Sequence, residues 1–415
     1  MAAGTNRAWA VPTWRRVACT LALAGACSVG MAPTAAAEGM ESKQWYLKAM
    51  HADEIWKKST GEGIKVAVID SGVNSKTPSL QGQVLQGLDA TEAPGEATDD
   101  YEGHGTTMAE LIAGTGKGGG IRGLAPGAKI VPMRVATKAF PKDVKVNEWD
   151  EVVAMRAAAD SDAQIISVSI GNEFMSERER EAIRYARSKG KLIFAAAGNS
   201  AKKGNKPSYP AKYDEVVAVG AIDRDGQVGD YSHHSEIVDI AAPGTDIPYW
   251  CDSTFTRYCD GGEGTSQAAA LASASAALIW SAHPDWTANQ VLRVMFESAG
   301  RGEQWKDDSK SQYLGHGVVR PNAHITRGLG KPGAPDASPL TGEKADGEAP
   351  AGSAAPSAPA ASKTPKVGSQ SDAVVAGAGK RADGGNRTGL ILGGAAVVAV
   401  LAAGAIAVIR KRRTT

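Results

Sequence analysis

Ile64-Lys65-Val66-Ala67-Val68-Ile69-Asp70-Ser71-Gly72 reads as a strand that runs into an acidic residue and a glycine turn. Apolar residues fill nearly every position instead of every second one, the pattern of a strand covered on both faces. Four more runs share that character: Ile130–Val135, Ile165–Ile170, Leu192–Ala197 and Val216–Val219. Helical patterns separate them. Trp149–Ala159 carries apolar residues at helical spacing, and Ser176–Lys189 opens with Ser176 and Glu179 in capping-box positions and stops at Gly190. Strand, helix, strand in repetition predicts an α/β fold, a mostly parallel sheet with helices on both faces. Ligands of such sheets bind beyond the carboxyl ends of strands, and Asp70, Gly171 and Asn199 stand at or just after such ends. No internal repeat is visible.

Outward from Asp70 the chain offers two further segments that carry chemistry: E-G-H-G-T around His104 and G-T-S-Q-A-A-A around Ser266. A serine hydroxyl is a poor nucleophile unless an imidazole takes its proton and a carboxylate fixes the imidazole tautomer. The candidate roles follow. Asp70 accepts the imidazole Nδ1 hydrogen bond, His104 is general base and then acid, and Ser266 is the nucleophile at the start of the apolar helix Ser266–Trp280. Each residue alone has a plainer explanation: an acidic turn residue, a histidine opening the helix Thr107–Gly114, a helix-capping serine. Together, in the order Asp, His, Ser, they differ from both the G-x-S-x-G elbow and the His, Asp, Ser order.

With G-L-A-P-G-A-K-I at Gly123–Ile130, S-V-S-I-G at Ser167–Gly171, A-A-A-G-N at Ala195–Asn199, Y-P-A-K-Y-D-E-V-V-A-V-G-A at Tyr209–Ala221 and I-A-A-P-G at Ile240–Gly244, the chain resembles the subtilase family of serine proteases from about Trp45 to Asn322. The resemblance implies a subtilisin-like fold and peptide-bond hydrolysis. It makes Asn199 a side-chain donor to the oxyanion beside the Ser266 N–H, where loss of one donor typically costs about 2.7–4 kcal/mol. It assigns Ser167, Ser169 and Gly171 to an edge that pairs with an extended peptide, and Ala197, Gly198 and Ser208 to the primary specificity pocket. No acidic residue appears among these, which points to a small to medium, uncharged side chain before the scissile bond. Two departures stand out. Thr107 replaces the second histidine that often follows the catalytic one, so no histidine pair suggests a metal. Ala270 replaces a common proline four residues after the nucleophile, which bears on how Ser266 is placed.

The 415 residues divide unevenly, and their net charge of +1 suggests neither nucleic acid nor a generally acidic substrate as partner. Residues 1–37 read as an export signal, with Arg7, Arg15 and Arg16, an Ala/Leu/Val-rich run from Val17 to Met31, and Ala35-Ala36-Ala37 before Glu38. Lipidation at Cys27 and twin-arginine export through Arg15-Arg16 are weaker variants of the same reading. The four cysteines include two in that signal. Cys251 and Cys259 remain, and in an oxidising compartment they most simply form one disulfide. A zinc site, the alternative, needs more ligands than the surrounding sequence supplies. An N-terminal extension is expected at 38–63, the peptidase domain at 64–330, and a Pro/Ala/Gly-rich linker at 331–388. An uncharged run at 389–409 is long enough to span a bilayer, and the basic tail 410–415 orients it with the protease outside.

This arrangement is similar to that of the mycosins, the membrane-anchored subtilases associated with type VII secretion in actinobacteria. It implies polypeptide substrates, a cell-membrane location on the extracytoplasmic side and docking to the secretion complex. A catalytically slow component supporting that complex and a peptide-binding module that does not cleave are the rival functions. No cofactor is expected. Calcium stays open, since the family often binds it and no contiguous run of oxygen ligands is visible.

Overall fold

The computed structural model describes Met1, Gly4 and residues 39–344, apart from 143, 303–304 and 306–308. Among the described residues seven strands form one sheet: β1 (Lys65–Asp70), β2 (Leu88–Asp89), β3 (Lys129–Arg134), β4 (Ile165–Val168), β5 (Leu192–Ala196), β6 (Val217–Ile222) and β7 (Ile240–Pro243). Their order is β2-β3-β1-β4-β5-β6-β7, and every neighbouring pair is parallel. The expected runs are β1, β3, β4, β5 and β6, with ends shifted. Strands β2 and β7 lay below the resolution of a hydropathy pattern, one being two residues long and the other ending in proline. From β1 the chain crosses to the edge strand β2, steps back to β3 beside β1, then passes to the far side of β1 for β4. The order therefore reverses at β1, and Asp70 closes the strand at that switch point.

The two faces of the sheet follow from the alternation of side chains along a strand. Val66 and Val68 join one core with Phe194, Val217 and Val219, while Ala67 and Ile69 join the other with Val131, Met133 and Ile193. The first face carries the helices α1 (Trp45–Ala49), α2 (Ala52–Trp56), α3 (His104–Ala113), α6 (Thr265–Ala282) and α7 (Ala288–Glu297); the second carries α4 (Glu148–Asp160) and α5 (Glu177–Ser188). Ser176 caps α5 as its sequence suggested, accepting the Glu179 N–H at 3.3 Å. The helices that begin at His104 and next to Ser266 thus lie on one side of the sheet. Helix α6 is buried from Thr265 to Trp280, and alanines at 268–270, 272, 274, 276 and 277 let it lie close to the strands. It runs unbroken through Ala270, so the missing proline leaves the helix intact.

Around this framework the ends are packed. Tyr46 and Ile55 of the N-terminal extension are fully buried, and the Trp45 and Trp56 indoles donate to the Thr245 and Leu124 carbonyls at 3.0 and 2.8 Å. Residues 335–338, within the stretch that composition assigned to the linker, are packed against the domain. Thr287 Oγ1 donates to the Pro335 carbonyl at 2.9 Å and Arg293 to that of Ala337 at 3.1 Å, and Ser338 is buried. Backbone carbonyls bound by side chains at and within α7 tie this stretch down despite its few apolar residues. Strands β8 (Ile247–Trp250) and β9 (Tyr258–Gly262) form an antiparallel hairpin closed by a Cys251–Cys259 disulfide, with Cα atoms 5.1 Å apart. No helix among the described residues is long and apolar enough to cross a membrane. The expected signal 1–37 (Met1 and Gly4 apart), the linker beyond 344, the span 389–409 and the tail 410–415 lie outside the described residues.

Helix α3 meets β1 without room for a side chain. A Cβ on Gly105 would stand 2.2 Å from the Gly72 carbonyl oxygen and 3.0 Å from Asp70 Cβ. Gly105→Ala is expected to push α3 off the strand and lower stability by about 1–3 kcal/mol, as overpacking does. Urea unfolding measures this, and an unchanged midpoint would contradict the close approach.

Candidate active site

Asp70 is fully buried at the end of β1, and its Oδ1 lies 2.7 Å from His104 Nδ1. The same oxygen accepts the Ser71 N–H at 2.8 Å, and the Ser71 hydroxyl stands 3.2 Å away. The carboxylate is therefore aimed before the imidazole reaches it. His104 is the first residue of α3, turned into place by Gly103, whose φ of 83° is a left-handed conformation that glycine adopts without strain. About a third of its side chain remains exposed. Burial disfavours the imidazolium, but the Asp70 charge and hydrogen bond, with Glu102 and Asp100 beyond, outweigh that and push the imidazole up to about 9. A folded value above the unfolded one adds stability that is complete below the ordinary imidazole range and is lost as pH rises through about 9.

Ser266, the second residue of α6, is 7 % exposed. Its hydroxyl donates to the Ser169 carbonyl at 2.9 Å. The nucleophile candidate is thus tied to the segment after β4, while Asp70 and His104 form a pair. Asn199 follows β5. Its Oδ1 accepts both the Thr265 N–H and the Thr265 hydroxyl, each at 2.9 Å, and Thr265 Oγ1 in turn accepts the Gly198 N–H at 3.1 Å. With its oxygen doubly engaged, the amide has only its N–H groups left to present outward. Thr265, which aims Asn199, was not among the residues that sequence reasoning marked, although it sits in G-T-S beside Ser266.

The expected substrate residues divide. Ser167 is inside β4, paired with Val68 on one side and Phe194 on the other, so no backbone edge is free there. Strand pairing ends at Val168, and Ser169 and Gly171 follow it. Gly171, Gly198 and Ser208 do come together: a Cβ on Gly171 would stand 2.3 Å from Ser208 Oγ, and one on Gly198 would stand 3.3 Å from Ser208 Cβ. Ala197 is buried behind them, and the His233 N–H donates to the Gly198 carbonyl at 2.9 Å. Burial holds the His233 imidazole below its ordinary value, which suits a wall better than an acid or base. Among the described residues no group of three or more His, Cys, Asp or Glu is arranged to hold a metal.

This geometry agrees with what the chain is similar to. It is 33 % identical to thermitase of Thermoactinomyces vulgaris over 216 residues, 52 % of this chain and 73 % of that one. The fold matches the crystal structure of MycP1 from Mycobacterium smegmatis with a TM-score of 0.58 and 26 % identity, over 68 % of this chain and 84 % of that one. It also matches MycP3 protease from the type VII (ESX-3) secretion system with a TM-score of 0.56 and 29 % identity, over 68 % and 87 %. Residues 61–317 fit the family model Peptidase_S8, the subtilase family, and the chain belongs to that family as a serine-type endopeptidase.

Proposed function

We propose that the chain cleaves polypeptides with Asp70, His104 and Ser266, outside a membrane to which residues 389–409 anchor it, in the setting of a type VII secretion system. The 2.7 Å Asp70–His104 pair carries the catalytic part of this reading. Likeness to MycP1, described as an essential component of the type VII (ESX-1) secretion system, supports the setting.

The steps follow from the groups at hand. An extended peptide adds to the edge after β4, and its backbone N–H competes for the Ser169 carbonyl that holds the Ser266 hydroxyl. Freed, the hydroxyl turns to His104 Nε2. Ser266 Oγ attacks the scissile carbonyl carbon, its proton passes to Nε2, and Asp70 stabilises the imidazolium. Charge on the tetrahedral oxygen is met by the Asn199 amide N–H and the Ser266 backbone N–H at the start of α6. The C–N bond breaks as Nε2 gives its proton to the leaving amine, and water repeats the sequence to release the acyl group. Gly171, Gly198 and Ser208, close to one another and without charge, suit an uncharged substrate side chain. Asp70, His104, Asn199 and Ser266 therefore divide the work between proton transfer and charge.

Three outcomes test this. Ser266→Ala is expected to fold normally and lose both hydrolysis and labelling by a fluorophosphonate; undiminished hydrolysis by the purified variant would remove the triad, whereas a wild-type protein that never labels would favour the slow scaffold. Because attack needs the neutral imidazole, wild-type kcat/KM is expected to climb with pH through an acidic limb above the ordinary imidazole value, toward about 9. A limb below pH 6.5 would show that Asp70 does not hold the proton on His104. Truncation after Lys344, which keeps the packed 331–344 stretch, is expected to give a soluble, active protease, and a truncated protein that stays with membranes in carbonate would overturn the anchor.

A further inference from the structure

Helix α3 has a glycine N-cap and so no side chain of its own to satisfy its first N–H groups. Asp100, four residues before His104 in D-Y-E-G-H-G-T, supplies that acceptor from outside the helix. Its carboxylate is 6 % exposed. One oxygen, Oδ2, takes the Thr106 N–H at 2.9 Å and the Thr106 hydroxyl at 2.7 Å. The other takes the Gly103 N–H at 2.9 Å, the Glu102 N–H at 3.1 Å and the Ser71 hydroxyl at 2.8 Å. Ser71 is the residue after Asp70, and its Oγ accepts the Gly105 N–H at 3.0 Å. A single buried carboxylate thus holds the chain on both sides of the Asp70–His104 pair: the residue after the acid, directly, and the first turn of the helix that begins with the histidine.

We propose that Asp100 is a positioning residue of the triad, fixing through Ser71 and the N-terminus of α3 the place at which the His104 imidazole stands. The proposal rests on the assignment of Asp70, His104 and Ser266 as catalytic. Asp100 makes no contact with the imidazole, so its influence has two separable parts. Its five hydrogen bonds orient the helix start, and its negative charge adds to those that keep a proton on His104. The charge acts on the imidazole whatever the hydrogen bonds do, so the rate at unchanged charge is the readout that reports positioning.

The test uses the pH dependence of fluorophosphonate labelling, which reports the nucleophile without knowledge of the natural substrate. Asp100→Asn keeps the size of the side chain but loses the Thr106 acceptor and the charge. Its plateau rate is expected to fall at least tenfold, and its acidic limb to move down by about half a pH unit or more, since a nearby negative charge has been removed from a cation. Asp100→Glu, which keeps the charge but displaces both oxygens, is expected to lose rate with its limb unchanged. Thermal unfolding of each variant accompanies the labelling. A stable Asp100→Asn protein with the wild-type limb would overturn the proposal, as would wild-type rate in Asp100→Glu. If Asp100→Asn does not fold, Asp100→Glu alone decides, because a wild-type rate there excludes positioning. Labelling that persists in Ser266→Ala would instead fault the triad assignment on which this proposal stands.

Discussion

The contact of Gly105 with the backbone of Gly72 is the constraint on which the site depends. Two bare backbones meet where any side chain would intervene, and only then can a carboxylate at the end of β1 reach an imidazole at the start of α3. The sheet provides the rest of the geometry. Strand order reverses at β1, whose last residue is Asp70, and the ends of β4 and β5 bring Ser169 and Asn199 to Ser266 and Thr265 at the start of α6. Helices α3 and α6, which begin at His104 and next to Ser266, lie on one face of the sheet.

Electrostatics then tunes what packing has assembled. Removing an imidazolium from water is unfavourable, yet at His104 the acidic groups around it win, Asp70 first among them. Glu102 shows the balance from the other side. Burial pushes its carboxyl up, while the Thr137 hydroxyl, 2.8 Å from its oxygen, works against that shift. Several carboxyl groups at different depths thus favour the imidazolium form of His104, and Asp70 is in direct contact with it.

Much of this was legible in the residues. Nearly continuous apolar runs gave β1, β3, β4, β5 and β6, and the three glycine-rich segments named Asp70, His104 and Ser266. What sequence could not supply was three-dimensional pairing. Ser167 looked like part of a substrate edge because it belongs to S-V-S-I-G, but hydrogen bonding to both neighbours takes its backbone out of use. Lys331 looked like the start of a tether because hydropathy is blind to carbonyls captured by Thr287 and Arg293. Thr265 and Asp100 were overlooked for the same reason. Their importance lies in which backbone groups they meet, and the chain's order does not record it.

The parallel sheet has a consequence for when activity first arises. Strand β1 pairs with β3 and β4, which follow it by some 60 and 100 residues in register, and Ser266 meets its partner Ser169 across a separation of 97. Such distant pairings form late, because loop-closure entropy is lost before the contacts reward it. A growing chain therefore has no assembled site until the segment that carries Ser266 has folded onto the segments that carry Asp70 and Ser169. The topology itself keeps the protease silent through the period when unfolded chains, its own included, are most exposed to cleavage.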